Sequence, residues 1–202
     1  MALVVSTLKN DLVKAFQAMT DGDDKVFSEK VSKATDDYTE TGKVTTADAG
    51  AIPSGAFTGS GTGGNTTDDS ICEKIVYAAC NVMKTMTAGG NAYLAAQLAL
   101  AIHTMVMQGE VKTNVTGTVI PPGSSPVPMS GTAKGTQMGT AMAAMQASFL
   151  AAFTAMDAMT EGGDEYLATQ IAAAVDTYLK SAVINTQGQA ALAGSVGVGA
   201  MT

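Results

Sequence analysis

Apolar and polar positions follow two different periods in succession, and this succession occurs three times along the chain. In each cycle, apolar residues first recur at three- and four-residue steps, and then a short stretch alternates between apolar and polar. The first pattern predicts amphipathic helices, and the second predicts β-strands, for which Val and Thr are well suited. The predicted strands begin at residues 43–46, 110–113 and 183–186.

The three cycles are copies of one unit, marked by a hexapeptide between two predicted helices. It reads MTDGDD at 19–24, MTAGGN at 86–91 and MTEGGD at 159–164. Counted from the Met, apolar residues coincide eight and twelve positions further on, and a Thr stands at position twenty-seven in every copy. This agreement predicts a triplicated structure with repeat units at 1–66, 67–139 and 140–202, packed into one domain.

The hexapeptide is interpreted as a helix stop followed by a helix start. A helix end favours a left-handed residue, and the glycines at that position are Gly22, Gly89 and Gly162. Side-chain oxygens that could cap the next helix are carried by Asp24, Asn91 and Asp164. The pattern therefore predicts a tight αα-hairpin in each unit.

A Gly- and Thr-rich stretch follows each hairpin and cannot build a core of its own. We expect it to be a β-arm whose amides pair with a neighbouring subunit, rather than a flexible loop. The residues expected to make these subunit contacts are Val44, Thr46, Ile52, Pro53, Phe57, Val111, Thr113, Val119, Ile120, Pro121, Ile184, Thr186, Val196 and Val198.

The predicted fold class is therefore α+β, mainly α, with three tandem αα-hairpin units each followed by an extended Gly/Thr-rich β-arm. The second helix of unit two, AYLAAQLALAIHTMVM, is apolar on nearly every side. That composition predicts a buried position for unit two, at the centre or against another chain. The repeats leave open whether the units close into a pseudo-trimer or stack as an array.

Composition excludes one broad class of partner. Arg is absent, so Lys provides all 11 basic residues, and the formal net charge is −7. Because nucleic-acid binding depends on basic surfaces rich in Arg, no nucleic-acid partner is expected.

Candidate catalytic, cofactor and metal sites are all better explained structurally. His103 shares its repeat position with Asp36 and Asp176, which indicates a polar slot at a surface or interface. The acidic run at 21–24 lacks the ligand spacing of an EF-hand, and GSGTGG at 59–64 lacks the Lys of a Walker A loop. Cys72 and Cys80 are too far apart along one helix to form a disulfide. We therefore expect no enzyme activity, no cofactor and no metal.

Neither a signal peptide nor a membrane span is expected. The first residues lack a basic segment before an apolar run, and the longest apolar stretch, 142–159, is interrupted by polar residues.

Part of the chain resembles a known class of proteins. The likeness lies in residues 167–186 (LATQIAAAVDTYLKSAVINT), in the weaker copies at 94–113 and 27–46, and in the TGTVIPPG arm at 116–123. This succession of a helix, V-x-T and a Gly/Thr-rich arm resembles small repetitive virion structural proteins of tailed bacteriophages. The resemblance implies a place in the tail, baseplate or head surface, and no catalytic residues come with it.

The expected function is therefore that of a non-enzymatic structural subunit of a phage particle, in the tail or baseplate rather than the head. Its partners would be other virion proteins or further copies of itself, and assembly would take place in the host cytoplasm. Two alternatives stay open. One is a soluble binding or adhesion module that uses the Gly/Thr-rich loops, and the other is a membrane-active hairpin formed by residues 92–107 and 142–159.

Overall fold

The structure is a computed structural model that describes residues 3–19, 23–139 and 141–202. Each unit contributes two helices and then two strands. Unit one contains α1 (Val5–Met19), α2 (Asp24–Thr41), β1 (Val44–Ile52) and β2 (Gly55–Thr66), and unit two contains α3 (Asp69–Met83), α4 (Gly90–Gln108), β3 (Glu110–Ile120) and β4 (Val127–Met138). Unit three contains α5 (Met142–Met156), α6 (Gly163–Ser181), β5 (Val183–Gly188), a 3₁₀ turn (Ala190–Leu192) and β6 (Ser195–Met201).

The helices form a closed ring. Each packs against the helix before it and the helix after it, and α1 packs against α6 to complete the circle. Helix α4 lies between α3 and α5, just as α2 lies between α1 and α3. The prediction that unit two lies at the centre is therefore wrong, because the three units occupy equivalent places around one axis.

The strands close into an antiparallel barrel in the order β1-β2-β3-β4-β5-β6, counted over the described residues. The closing ladder pairs β1 with β6, from Val44 opposite Met201 to Gly50 opposite Ser195. The chain is thus a pseudo-trimer within one polypeptide, with a helical ring stacked on a barrel.

This barrel corrects the predicted fold class. The tandem αα-hairpin units with extended β-arms do not describe the molecule, because the helices join into one ring and the arms pair with each other. Strand tendency is a local property that the sequence shows. The partner strand is a long-range choice, and a closed barrel satisfies every strand edge within the chain.

Two apolar clusters fill the molecule. The larger one fills the helical ring and includes the residues that close the near end of the barrel, which are Val44, Val111, Ile184 and Met201. The smaller one plugs the far end of the barrel and consists of Ile52, Phe57, Val115, Val119, Ala133 and Leu192. The barrel interior between them is sealed from both ends.

The turns between paired helices differ from the predicted arrangement. Gly89 (φ 77°) and Gly162 (φ 71°) are left-handed, but they stand directly before α4 and α6 rather than at the preceding helix end. Helices α3 and α5 already end three residues before the hexapeptide, at Met83 and Met156. Gly22 lies outside the described residues.

The residues that cap the second helices also differ from the prediction. The capping residue of α2 is Asp23, whose Oδ1 accepts from the amides of Lys25 and Val26, and Asp24 begins the helix instead. Asn91 and Asp164 lie within the first turns of α4 and α6, because these helices start two residues earlier than expected. The cap of α3 is Asp68, whose side chain accepts a hydrogen bond from the amide of Ser70.

Candidate functional site

The β-arm residues that were expected to contact a neighbour divide into three sets. Nine of them are buried inside the barrel or at its ends, namely Val44, Thr46, Ile52, Phe57, Val111, Thr113, Val119, Ile184 and Thr186. Ile120, Val196 and Val198 face outward and are exposed. Pro53 and Pro121 lie in the connections between strands. The buried set cannot make the subunit contacts predicted for it.

The V-x-T pattern explains why these residues face inward. Alternate residues of a strand point to the same face, so the apolar residue and the Thr of each copy enter the barrel together. The first layer, next to the helices, is apolar. The second layer contains one Thr from each unit, and these residues are Thr46, Thr113 and Thr186. The repeat thus places a ring of hydroxyl groups around the axis.

Asp48 is the next inward-facing residue of β1 after Thr46, and the other two units have no acidic residue at this repeat position. Its repeat equivalents are Val115 and Gly188. Its side chain is only 2% exposed, and Oδ2 accepts a hydrogen bond from Thr46 Oγ1 at 2.7 Å. Asp48 was not among the residues predicted to be functional, although its period-two spacing from Val44 and Thr46 places it on the inward face.

A second set of polar contacts joins the units where the helices approach the barrel. Tyr38 of unit one donates to Asp176 Oδ1 of unit three at 2.6 Å. The hydroxyl of Tyr178 lies 2.7 Å from His103 Nδ1 of unit two. Both tyrosines are buried, and burial raises the pKa of the Tyr178 hydroxyl to about 12.

The last junction differs, because Met105 replaces the third tyrosine. There, Thr67 Oγ1 donates to Asp36 Oδ1 instead. Burial raises the pKa of the Asp36 carboxyl above its usual value. The polar slot inferred for Asp36, His103 and Asp176 therefore joins the repeats to one another.

The opposite end of the helical ring carries an apolar pocket of about 420 Å³. The same repeat positions line it from each unit, with Phe27, Leu94 and Leu167 from the second helices and Phe16, Met83 and Met156 from the first. Asp24 and Lys84, which form an ion pair, and Asn91 give it a polar margin. Such a volume lies within the usual range of ligand sites.

The outer surface of the barrel is chemically uneven. Ala47 and Ala49 on β1 lie opposite Val198 and Val196 on β6, and Ala200 continues the row. We call these five residues the apolar strip. The two valines are 56% and 55% exposed. The outward positions beside the strip are uncharged and polar, and they are Thr58, Ser60, Asn185 and Gln187.

The remaining candidates supply no reaction centre. Cys72 and Cys80 are free thiols, and burial raises the pKa of Cys72 to about 12. Over residues 3–19, 23–139 and 141–202, no group of His, Cys, Asp and Glu could hold a metal ion. The helices in these ranges fall short of the length and apolar character needed to cross a membrane.

Comparison with family models, with curated proteins and with solved structures finds no match to this chain.

Proposed function

We propose that this protein is a non-enzymatic structural subunit that assembles through the outer face of its barrel. The observation that carries the proposal is the apolar strip, where Val196 and Val198 expose more than half of their surface. An apolar row with an uncharged polar margin has the make-up of an interface core and rim.

Closure of the barrel determines the kind of contact. Because the strands of the described residues close into a barrel, the sheet has no edge strand to which a partner could add its own. Assembly would instead bring two faces together, with the strip at the centre. A formal net charge of −7 disfavours close approach of identical subunits, so an uncharged region suits such a contact.

The setting we propose is a phage particle, in the tail or baseplate. It rests on the resemblance of the three helix-to-strand segments to virion structural proteins. The partners would be further copies of the protein or other virion components, in particles assembled in the host cytoplasm.

A charge-insertion pair tests the assembly face. Val196→Lys with Val198→Lys places two charges in the strip, whereas Thr116→Lys with Thr118→Lys places the same charges on β3, across the barrel from β6. Size-exclusion chromatography with light scattering should show oligomers for the native protein and the β3 variant, and monomers for the strip variant. Circular dichroism should show equal helix content in all three.

Mass spectrometry of purified particles tests the setting. The protein should be found there in many copies, and the strip variant should be depleted. A stable monomer that is missing from particles would contradict the proposal.

A further inference from the structure

We propose that the barrel interior binds a dehydrated monovalent alkali cation, Na⁺ or K⁺, between Asp48 and the repeat-related threonines. This inference is independent of the assembly face, which lies on the outside of the same barrel. It rests on unpaired buried oxygens, on two glycines that let these oxygens approach closely, and on charge balance.

The first observation is the set of unpaired oxygens. Asp48 Oδ1, Thr113 Oγ1 and Thr186 Oγ1 are all buried without a hydrogen-bond partner among the described residues. Each of these side chains is 2% exposed. A buried polar group without a partner is costly, and a buried carboxylate is especially so. Three such atoms in the polar part of the barrel interior indicate that something else is bound there.

The second observation is the glycines opposite this layer. A Cβ on Gly197 would collide with Asp48 Oδ1 and Thr186 Oγ1. A Cβ on Gly61 would lie 3.0 Å from Thr113 Oγ1 and 3.1 Å from Asp48 Oδ2. Because neither glycine carries a side chain, the carboxylate of Asp48 and the hydroxyls of Thr113 and Thr186 can approach these two positions from across the barrel.

The third observation is the missing counter-charge. Among the described residues, Asp48 is the only buried residue of the types Asp, Glu, Lys and His, and every lysine is at least partly exposed. A carboxylate and neutral hydroxyls are hard oxygen ligands of the kind that alkali and alkaline-earth cations prefer. One carboxylate carries one negative charge, so a monovalent ion neutralises the site. A divalent ion would leave a buried positive charge.

Apolar residues close both ends of the barrel, so the ion would enter while the chain folds. The test therefore begins from unfolded protein. The chain is unfolded in urea, since guanidinium would itself supply a monovalent cation, and is refolded in NaCl, KCl or choline chloride at equal ionic strength. The urea midpoint should be higher in NaCl or KCl than in choline chloride. Each tenfold increase of the preferred ion above its dissociation constant should raise the folding equilibrium constant roughly tenfold.

Two variants make this test specific. Asp48→Asn removes the charge and should abolish the difference between alkali cations and choline. Asp48→Val introduces the residue that unit two has at Val115, so it provides a second test if the amide variant does not fold. It should be equally stable in all three salts.

Equal midpoints for the native protein in all three salts would overturn the proposal, since they would mean a water molecule or a protonated carboxyl group in the barrel. A larger effect of CaCl₂ than of NaCl or KCl would overturn the monovalent assignment. A direct check uses crystals grown in RbCl or a thallium(I) salt. An anomalous peak beside Asp48 Oδ1 and Thr186 Oγ1 supports the site, and peaks confined to surface carboxylates contradict it.

Discussion

The hydroxyl of Tyr38 donates a hydrogen bond of 2.6 Å to Asp176 Oδ1, joining the first repeat to the third across 138 positions of sequence. Asp176 also accepts from Lys180 at 2.9 Å, so its charge stays partly compensated without Tyr38. The bond therefore contributes to ring closure and can be removed without leaving a buried charge unpaired.

We expect Tyr38→Phe to lower the free energy of unfolding by about 1–3 kcal/mol, the usual contribution of a hydrogen bond to a charged group. Urea unfolding followed by circular dichroism measures the loss. Tyr77→Phe is the control, because Tyr77 is 43% exposed. Equal stability of the two variants would show that this junction does not help to hold the ring closed.

The barrel should tolerate no side chain at Gly135. A Cβ there would collide with the carbonyl oxygen of Asn185 on the adjacent strand, and the repeat equivalents Gly63 and Gly199 meet the carbonyls of Lys112 and Thr45 in the same way. Gly135→Ala should therefore cost at least about 3 kcal/mol, as overpacking against fixed backbone does.

Gly64→Ala is the matched control for Gly135→Ala, because a Cβ at Gly64 meets nothing within 4 Å. It should change stability by less than about 1 kcal/mol. Thermal unfolding of both variants makes the comparison. If the melting temperatures of Gly135→Ala and the control were equal, the strands around Gly135 would have to lie further apart than the structure shows.

The two thiols should react at very different rates. Cys72 is fully buried and its pKa is raised to about 12, whereas Cys80 is partly exposed at the margin of the apolar pocket. Since the thiolate is the reactive form, a disulfide reagent at pH 8 should modify one thiol per folded chain. Cys80→Ser should remove this reaction, and Cys72→Ser should leave it unchanged. Rapid modification of both thiols would contradict the packing of α3.

High pH should destabilise the protein through Tyr178. Its pKa is about 12 in the folded state and near 10 when unfolded, because burial disfavours the phenolate. The folded state therefore holds this proton more tightly. The contribution of the protonated Tyr178 hydroxyl to the free energy of unfolding is complete below pH 10 and is lost as the pH rises towards 12.

Urea midpoints measured from pH 8 to 12 test this prediction against Tyr178→Phe, which should show a shallower decline. The difference between the two proteins isolates Tyr178 from the lysines that titrate in the same range. Parallel curves would show that Tyr178 ionises equally readily in both states.

Local patterns were sufficient for the helices and for the first strand of each unit, whereas the second strands β2, β4 and β6 were predicted only as parts of extended arms. The strands begin at or within one residue of the predicted positions, and the left-handed glycines Gly89 and Gly162 were identified from their place in the hexapeptide. The caps were displaced by a residue or more, because several neighbouring polar residues can each satisfy the first amides of a helix.

The repeat pattern also identified some residues of the proposed cation site, but it did not indicate their function. Thr46, Thr113 and Thr186 were recognised as equivalent, but they were assigned to contacts with other subunits. Asp48 is charged and lies in a Gly- and Thr-rich stretch, so its sequence context resembled a surface. Only the meeting of six strands around it makes the residue buried and leaves one oxygen unpaired.

The sequence by itself therefore determined the triplication, the two helices of each unit and the start of the strand that follows them. These properties depend on periods of two and 3.6 residues within short segments. The tertiary structure alone decided that the β-segments pair with each other, since β1 meets β6 across about 150 residues. Pairing with a neighbouring chain would satisfy the same amides, and only the geometry of the closed helical ring brings the first and last strands together.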